Sequence, residues 1–213
     1  MRHLRPRAAA RHRASSSEER SLTDPKYIGS FPRADTQLDP PLPEVAFLGR
    51  SNVAKSSLLN ALVGRRIAKT SGTPGKTRAL NVFLIESSHY FLDLPGYGYA
   101  RAGNAQRAAF RGLLKHALLR EQLCGVVWLL DIRHPPSVDD RAMQDVLAEG
   151  AIHVLAALTK GDKLSREQRR IRERDLRGEL ELPEDQVLVT SARTGEGIAE
   201  LREAIAGLIE ATA

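Results

Sequence analysis

The chain has 213 residues, with 32 Lys and Arg against 26 Asp and Glu, a formal charge of +6 and a single cysteine, Cys124. That length suits one domain with an ample core plus a tail, and one cysteine excludes an internal disulfide and a cysteine-rich zinc site. No apolar run approaches the ~20 residues of a membrane-spanning helix, so the cytoplasm is the expected compartment.

Residues 1–33 carry Arg2, Arg5, Arg7, Arg11, Arg13, Arg20, Lys26 and Arg33 against Glu18, Glu19 and Asp24, which is most of the net charge. The segment is Ala- and Ser-rich without hydrophobic periodicity, so an arm disordered when free is expected to about residue 40, ending in Pro40-Pro41-Leu42-Pro43. Such an arm suits salt-sensitive contacts to RNA phosphates; a solvated surface is the plain alternative. The first residues lack the apolar core of a secretory signal; residues 1–17 are Arg-rich and without acids, as organellar transit peptides are, but have little apolar content beyond Leu4 and alanines, which disfavours that reading.

A strand is predicted over 44–48, and it opens into Gly49-Arg50-Ser51-Asn52-Val53-Ala54-Lys55-Ser56-Ser57 and a helix near 55–63. Against G-x-x-x-x-G-K-[ST], every fixed position of a phosphate-binding loop matches except the second glycine, which is Ala54. Such a loop wraps backbone N–H groups around phosphates at a helix N-terminus. Lys55 would add charge at the β- and γ-phosphates, and the Ser56 hydroxyl would ligate Mg²⁺. Ala54 is expected to weaken binding, because glycine is favoured where backbone approaches phosphate or turns left-handed. Asn52 has two readings: a ligand for K⁺ beside the phosphates, or a residue chosen for loop geometry.

Thr73-Pro74-Gly75-Lys76-Thr77 lies in a loop where a threonine can close over a γ-phosphate and its metal. Strands near 80–86 and 89–93 are joined by Ser87-Ser88, which suits an antiparallel hairpin edge. The second ends in Asp93-Leu94-Pro95-Gly96, whose carboxylate would stand behind the metal and whose Gly96 N–H can reach a γ-phosphate. The next position is Tyr97, where Ras-type switches carry a water-orienting glutamine, so slow, partner-stimulated hydrolysis is expected.

Helices near 104–121 and 138–149 bracket an apolar strand near 125–131, and a strand near 151–158 delivers Thr159-Lys160-Gly161-Asp162. An ionised Asp162 accepts two hydrogen bonds, from guanine N1–H and the 2-amino group, and adenine offers neither donor on that edge. Alone, the tetrapeptide is also ordinary turn composition. A helix near 165–178 opens on the capping pair Ser165 and Gln168. It carries Arg166, Arg169, Arg170, Arg172, Arg174 and Arg177, a second candidate RNA-facing cluster, diluted by Glu167, Glu173 and Asp175. The last strand, near 186–190, ends in Thr190-Ser191-Ala192, where the Ala192 N–H would meet guanine O6. Leu201, Ile205, Leu208 and Ile209 give a final helix over 196–211 its apolar face. Trp128 and the histidines read as core or surface residues, not ligands.

Four of the five motif segments fall at the carboxyl ends of predicted parallel strands, where open α/β sheets bind ligands. The expected fold is α/β: a P-loop NTPase G domain, doubly wound, with a mostly parallel six-stranded sheet flanked by helices, over 41–213 after an arm and linker over 1–40. These motifs, with Tyr97-Gly98-Tyr99-Ala100 after Gly96 and with Asp131-Ile132-Arg133-His134, resemble the EngB family of bacterial ribosome-assembly GTPases, of the TrmE-Era-EngA-EngB-Septin-like class.

The resemblance runs from about Phe31 to the end of the chain. It implies GTP and GDP binding, Mg²⁺, a monomer acting on precursors of the large ribosomal subunit, and a link to cell division and septation. By position, it implies nucleotide contacts from Gly49 to Ser56, at Gly75, Lys76, Thr77, Arg78 and Ala79, from Asp93 through Leu94 and Pro95 to Gly96, and within the Asp162 and Ala192 motifs. It puts metal ligands at Ser56 and Thr77, with Thr73 the rival, and hydrolytic groups at Lys55, Thr77 and Gly96. The alternative is a module of the same fold, its nucleotide binding crippled by Ala54, that binds pre-ribosomal RNA or protein without efficient turnover. A P-loop kinase or ATPase is disfavoured by Asp162.

Overall fold

The computed structural model describes residues 25–69, 79–98, 103–150 and 152–212. In chain order the elements are β1 (Lys26–Phe31), β2 (Glu44–Gly49), α1 (Lys55–Val63), β3 (Leu80–Ile85), β4 (His89–Asp93), α2 (Asn104–Leu118), β5 (Leu123–Asp131), α3 (Val138–Glu149), β6 (Val154–Thr159), α4 (Arg166–Glu179), β7 (Val187–Val189) and α5 (Ile198–Thr212). One sheet of seven strands runs β1-β3-β4-β2-β5-β6-β7. β4, β2, β5, β6 and β7 are parallel, and β3 is antiparallel to both β4 and β1.

Side-chain alternation along the central strands builds two cores. Ala46, Leu48, Val126, Trp128 and Leu130 face α2, α3 and α4. Val45, Phe47, Val127 and Leu129 face α1 and α5. β2 is buried along its whole length, as expected of a central strand covered on both faces. The α1/α5 layer is pinned by Arg202, whose guanidinium donates to Leu62 O at 2.7 Å and Ala61 O at 2.9 Å, carbonyls that end α1.

The expected count of six strands is corrected to seven, and the arm expected to residue 40 is corrected for residues 25–40. Lys26–Phe31 pairs with β3 from Lys26 opposite Leu84 to Phe31 opposite Leu80, and the Tyr27 ring meets Phe83 at 5.6 Å. The basic charge of this stretch points to a free arm, yet the outer edge of β3 supplies a ladder that its residues complete. Arg120 then fastens the following loop. Its guanidinium donates to Ala34 O at 2.6 Å, to Thr36 O at 2.8 Å and to both carboxylate oxygens of the buried Glu44. The Tyr90 hydroxyl adds a bond to Pro40 O at 3.1 Å. Residues 1–24 lie outside the described residues.

The β3–β4 hairpin is antiparallel as expected, but β1 covers it, so β1 and not β3 forms the edge. Its turn is carried by Glu86 (φ 51°) and Ser87 (φ 56°), closed by Ser88 N donating to Ile85 O at 2.9 Å. α2 stops at Leu118, short of the expected 121.

Candidate functional site

β2 ends on Gly49, where a Cβ would stand 2.8 Å from Val53 Cγ1 and 3.0 Å from Leu129 O. The first glycine of the loop is therefore required by close approach. The chain then turns through two left-handed residues, Asn52 (φ 66°) and Ala54 (φ 78°), before α1 starts with Leu58 N donating to Ala54 O at 2.9 Å. Asparagine tolerates that region and alanine does not. The loop is braced from behind: Thr159 Oγ1 donates to Val53 O at 2.8 Å, and Lys160 Nζ to Asn52 O at 2.8 Å.

At the head of α1, the half-buried Lys55 ammonium is ion-paired with Oδ1 of the buried Asp93. The other Asp93 oxygen accepts from Asn81 Nδ2 at 3.2 Å, its partner across the β3–β4 ladder. Gly96 lies against the loop, since a Cβ there would meet Ser51 N at 2.9 Å. Ser56, the expected metal ligand, sits one residue into α1 and is half-buried.

The base-recognition end is assembled by β6 and β7. Thr190 N donates to Leu158 O at 2.8 Å and Gly161 N to Thr190 O at 3.1 Å, which brings the two motif turns side by side. Lys160 is left-handed (φ 64°), and its ammonium also reaches Asp131 Oδ2 at 2.8 Å. Burial opposes ionisation of Asp131, but hydrogen bonds from Arg133 and Lys160 outweigh it and hold the carboxyl well below its ordinary range.

Asp162 has only 6% of its side chain accessible. It accepts from Ser191 Oγ at 2.8 Å and Arg193 Nε at 2.7 Å. The Ser191 bond first, then the Arg193 bond, keep it ionised against the effect of burial. An ionised, oriented carboxylate is an acceptor-only group, as the base-reading role demands.

The described residues thus bring Gly49 to Ser56, Asp93 to Gly96, Thr159 to Asp162 and Thr190 to Ala192 to one end of the sheet. Ala79 stands just before β3; Gly75, Lys76, Thr77 and Arg78, with the rival Thr73, lie outside the described residues. No cluster of three or more His, Cys, Asp or Glu fit for a metal occurs among the described residues, so a divalent ion here would depend on hydroxyls and on the nucleotide's own phosphates. A cavity of 240 Å³ opens beside the loop, lined in part by Arg50, Asn52, Asp131, Arg133 and Lys160. Lys55, Ser56 and Asp162 do not line it, so it neighbours the phosphate cradle without being it.

Sequence reasoning missed Asn81 and Arg193. A lone asparagine in the apolar run Leu80–Ile85 was the available signal for the first; nothing local marks the second. The basic helix α4 also proves mostly committed to the fold. Arg169 pairs with Glu196, Arg177 with Glu184 at 2.9 Å and Arg174 with Asp175 at 3.1 Å, while Arg172 Nε donates to Ile132 O at 3.3 Å. Arg166 and Arg170 are left as exposed cations without such bonds among the described residues.

A phosphate loop, a buried aspartate closing a second strand and a paired base-reading turn, on a mostly parallel sheet, define a P-loop GTPase G domain. Residues 44–160 match the protein family described as "50S ribosome-binding GTPase". The chain is 48% identical over 170 residues to a "Probable GTP-binding protein EngB" of Syntrophomonas wolfei, covering 79% of this chain and 88% of that one. It is 40% identical over 187 residues to the counterpart from Desulfatibacillum aliphaticivorans, covering 87% and 91%. A crystal structure of a probable GTP-binding protein EngB superposes with a TM-score of 0.66 at 23% identity, over 78% of this chain and 98% of that one. Era in complex with MgGDPNP and a segment of 16S ribosomal RNA superposes with a TM-score of 0.66 at 22% identity, over 79% and 57%. The chain belongs to the EngB family of GTP-binding proteins. No described helix is long and apolar enough to cross a membrane.

Proposed function

We propose that the protein is a slow GTPase that works in the cytoplasm as a monomer on precursors of the large ribosomal subunit and is needed for normal cell division and septation. The observation that carries the nucleotide reading is Asp162, ionised, nearly buried and held by Ser191 beside the Lys160 turn. Guanine N1–H and its 2-amino group would replace Arg193 on that carboxylate, with the Lys160 stem along the base and the Ala192 N–H at O6. A ligand lacking those donors would leave the carboxylate unpaired, a mismatch that such sites reject by roughly 10⁴–10⁵.

At the other end, Lys55 would leave Asp93 for the β- and γ-phosphates, freeing the Asp93 carboxylate to accept from water on Mg²⁺. The hydroxyls of Ser56 and Thr77 would ligate the ion, whose charge offsets that of the phosphates. The Gly96 N–H would meet the γ-phosphate. Tyr97, at the glutamine position, is turned inward and buried, so it orients no water; basal hydrolysis is slow and a partner supplies the rest. Asn52 has an exposed side chain without a hydrogen bond among the described residues, leaving its amide oxygen available to K⁺.

The ribosomal reading is supported by the family's description and by the basic chain start. Depletion in the native host should cause large-subunit precursors to accumulate, with purified protein cosedimenting with them in a GTP-dependent, salt-sensitive way. Normal subunit profiles on depletion would refute it. The second reading, a nucleotide-impaired module, is favoured by one observation, the left-handed Ala54. Calorimetry with GDP in Mg²⁺ separates the two.

A further inference from the structure

Tyr97 is fastened at both ends. Its backbone is tied to the phosphate loop, Tyr97 N donating to Gly49 O at 3.2 Å and Ser51 N to Tyr97 O at 2.9 Å. Its side chain, 6% exposed as a residue, enters the core. There the phenol oxygen accepts from Trp128 Nε1 at 2.8 Å and donates to Asp140 Oδ1 at 2.8 Å. The second Asp140 oxygen takes Ser137 N at 2.8 Å and Ser137 Oγ at 2.6 Å, the capping box of α3. Every polar atom in this chain of contacts is satisfied, so it holds one geometry. Burial, reinforced by the Asp140 charge, pushes the phenol well above its ordinary pKa, and it stays protonated. The residue before it is Gly96, packed against Ser51, and the residue after it is Gly98, left-handed at φ 73°.

We propose that Tyr97 is a positioning residue for hydrolysis: its phenol bolts the residue after Gly96 to Trp128 and Asp140 in the core while its main chain stays tied to the phosphate loop, so that a γ-phosphate meets a preset donor at Gly96. The proposal rests on the reading of Gly96 as the γ-phosphate contact. A preset donor costs no reorganisation when charge develops on the phosphoryl group. GDP has no γ-phosphate and gains nothing from the bolt. Tyr97 thereby separates the two nucleotides without touching either.

The test is Tyr97→Phe, which keeps the ring and the backbone bonds and removes only the hydroxyl. GDP affinity should stay within about twofold of wild type, while affinity for a non-hydrolysable GTP analogue and kcat should each fall by about tenfold (a tenfold change is ~1.4 kcal/mol). Trp128, the single tryptophan of the chain, reports directly: its emission should respond to the GTP analogue more than to GDP in wild type, and lose that difference in the variant. Trp128→Phe, which keeps the Tyr97–Asp140 bond, should show a smaller loss in the same direction and serves if Tyr97→Phe fails to fold. Equal losses for GDP and the analogue would make the phenol merely structural, and no loss for either would remove it from the reaction; both overturn the proposal. Wild-type protein that bound neither nucleotide would overturn the nucleotide reading itself, and the bolt with it.

Discussion

Ala54→Gly is the perturbation whose size can be worked from the backbone. Ala54 stands at φ 78°, ψ 27° as the residue before α1, with no side-chain cap bond. A left-handed alanine costs roughly 1–2 kcal/mol, and a glycine there gives back about 0.5–1 kcal/mol through its freer unfolded chain. The net gain is about 0.5–1 kcal/mol, or roughly 1–4 °C in Tm for a domain of this size. Contacts of the fold itself hold the loop in this shape, through Leu58 N on Ala54 O and Thr159 on Val53 O. Strain borne with and without nucleotide belongs to stability and cancels from affinity. Only strain that the free loop escapes, or a methyl that crowds a phosphate, weakens binding, by up to about tenfold for each ~1.4 kcal/mol. Differential scanning calorimetry and GDP titration, run on the protein and its glycine variant, read the two effects separately. The expected result is a higher Tm and tighter GDP binding in Ala54→Gly. An unchanged or lower Tm together with unchanged affinity would refute the strain argument.

Arg120→Ala should destabilise the fold by about 3–5 kcal/mol, because it leaves the buried Glu44 carboxylate and two loop carbonyls without a donor; urea unfolding checks it, and a loss below about 1 kcal/mol would show the staple is dispensable. Burial pushes His89 down from 6.5 to about 4. The unfolded chain therefore takes up the proton first, and stability that is full above about pH 6.5 is lost as the pH falls toward 4, by about 3 kcal/mol. His89→Gln should lose less over that window, and parallel pH profiles would refute the assignment. Replacing K⁺ by Na⁺ at constant ionic strength should slow GTP turnover, and equal rates would remove Asn52 from the chemistry.

What the sequence made legible was whatever a local pattern controls. Apolar runs gave β2, β5 and β6, and the pairs Ser165 with Gln168 and Gly49 with Lys55 marked where helices begin. The site segments that the structure describes were named because each sits where a strand ends. What stayed hidden depends on contacts distant in the chain. β1 becomes a strand because β3 offers an edge some 50 residues later, and its basic surroundings pointed the other way. The arginines of α4 looked free, yet Glu184, Glu196 and the Ile132 carbonyl absorb three of them. Tyr97 could be excluded as a water-orienting residue from its type alone. Its bolt to Trp128 and Asp140 joins residues 31 and 43 positions away, a juxtaposition only the folded sheet creates.

The most direct test is calorimetric titration of the purified protein with GDP and with ADP in excess Mg²⁺. With Asp162 ionised and oriented by Ser191, GDP should bind saturably, and ADP should show no binding at a thousandfold higher concentration, in keeping with a discrimination of roughly 10⁴. Comparable affinities for the two, or ADP binding the tighter, would contradict the assignment of Asp162 as the guanine-reading residue.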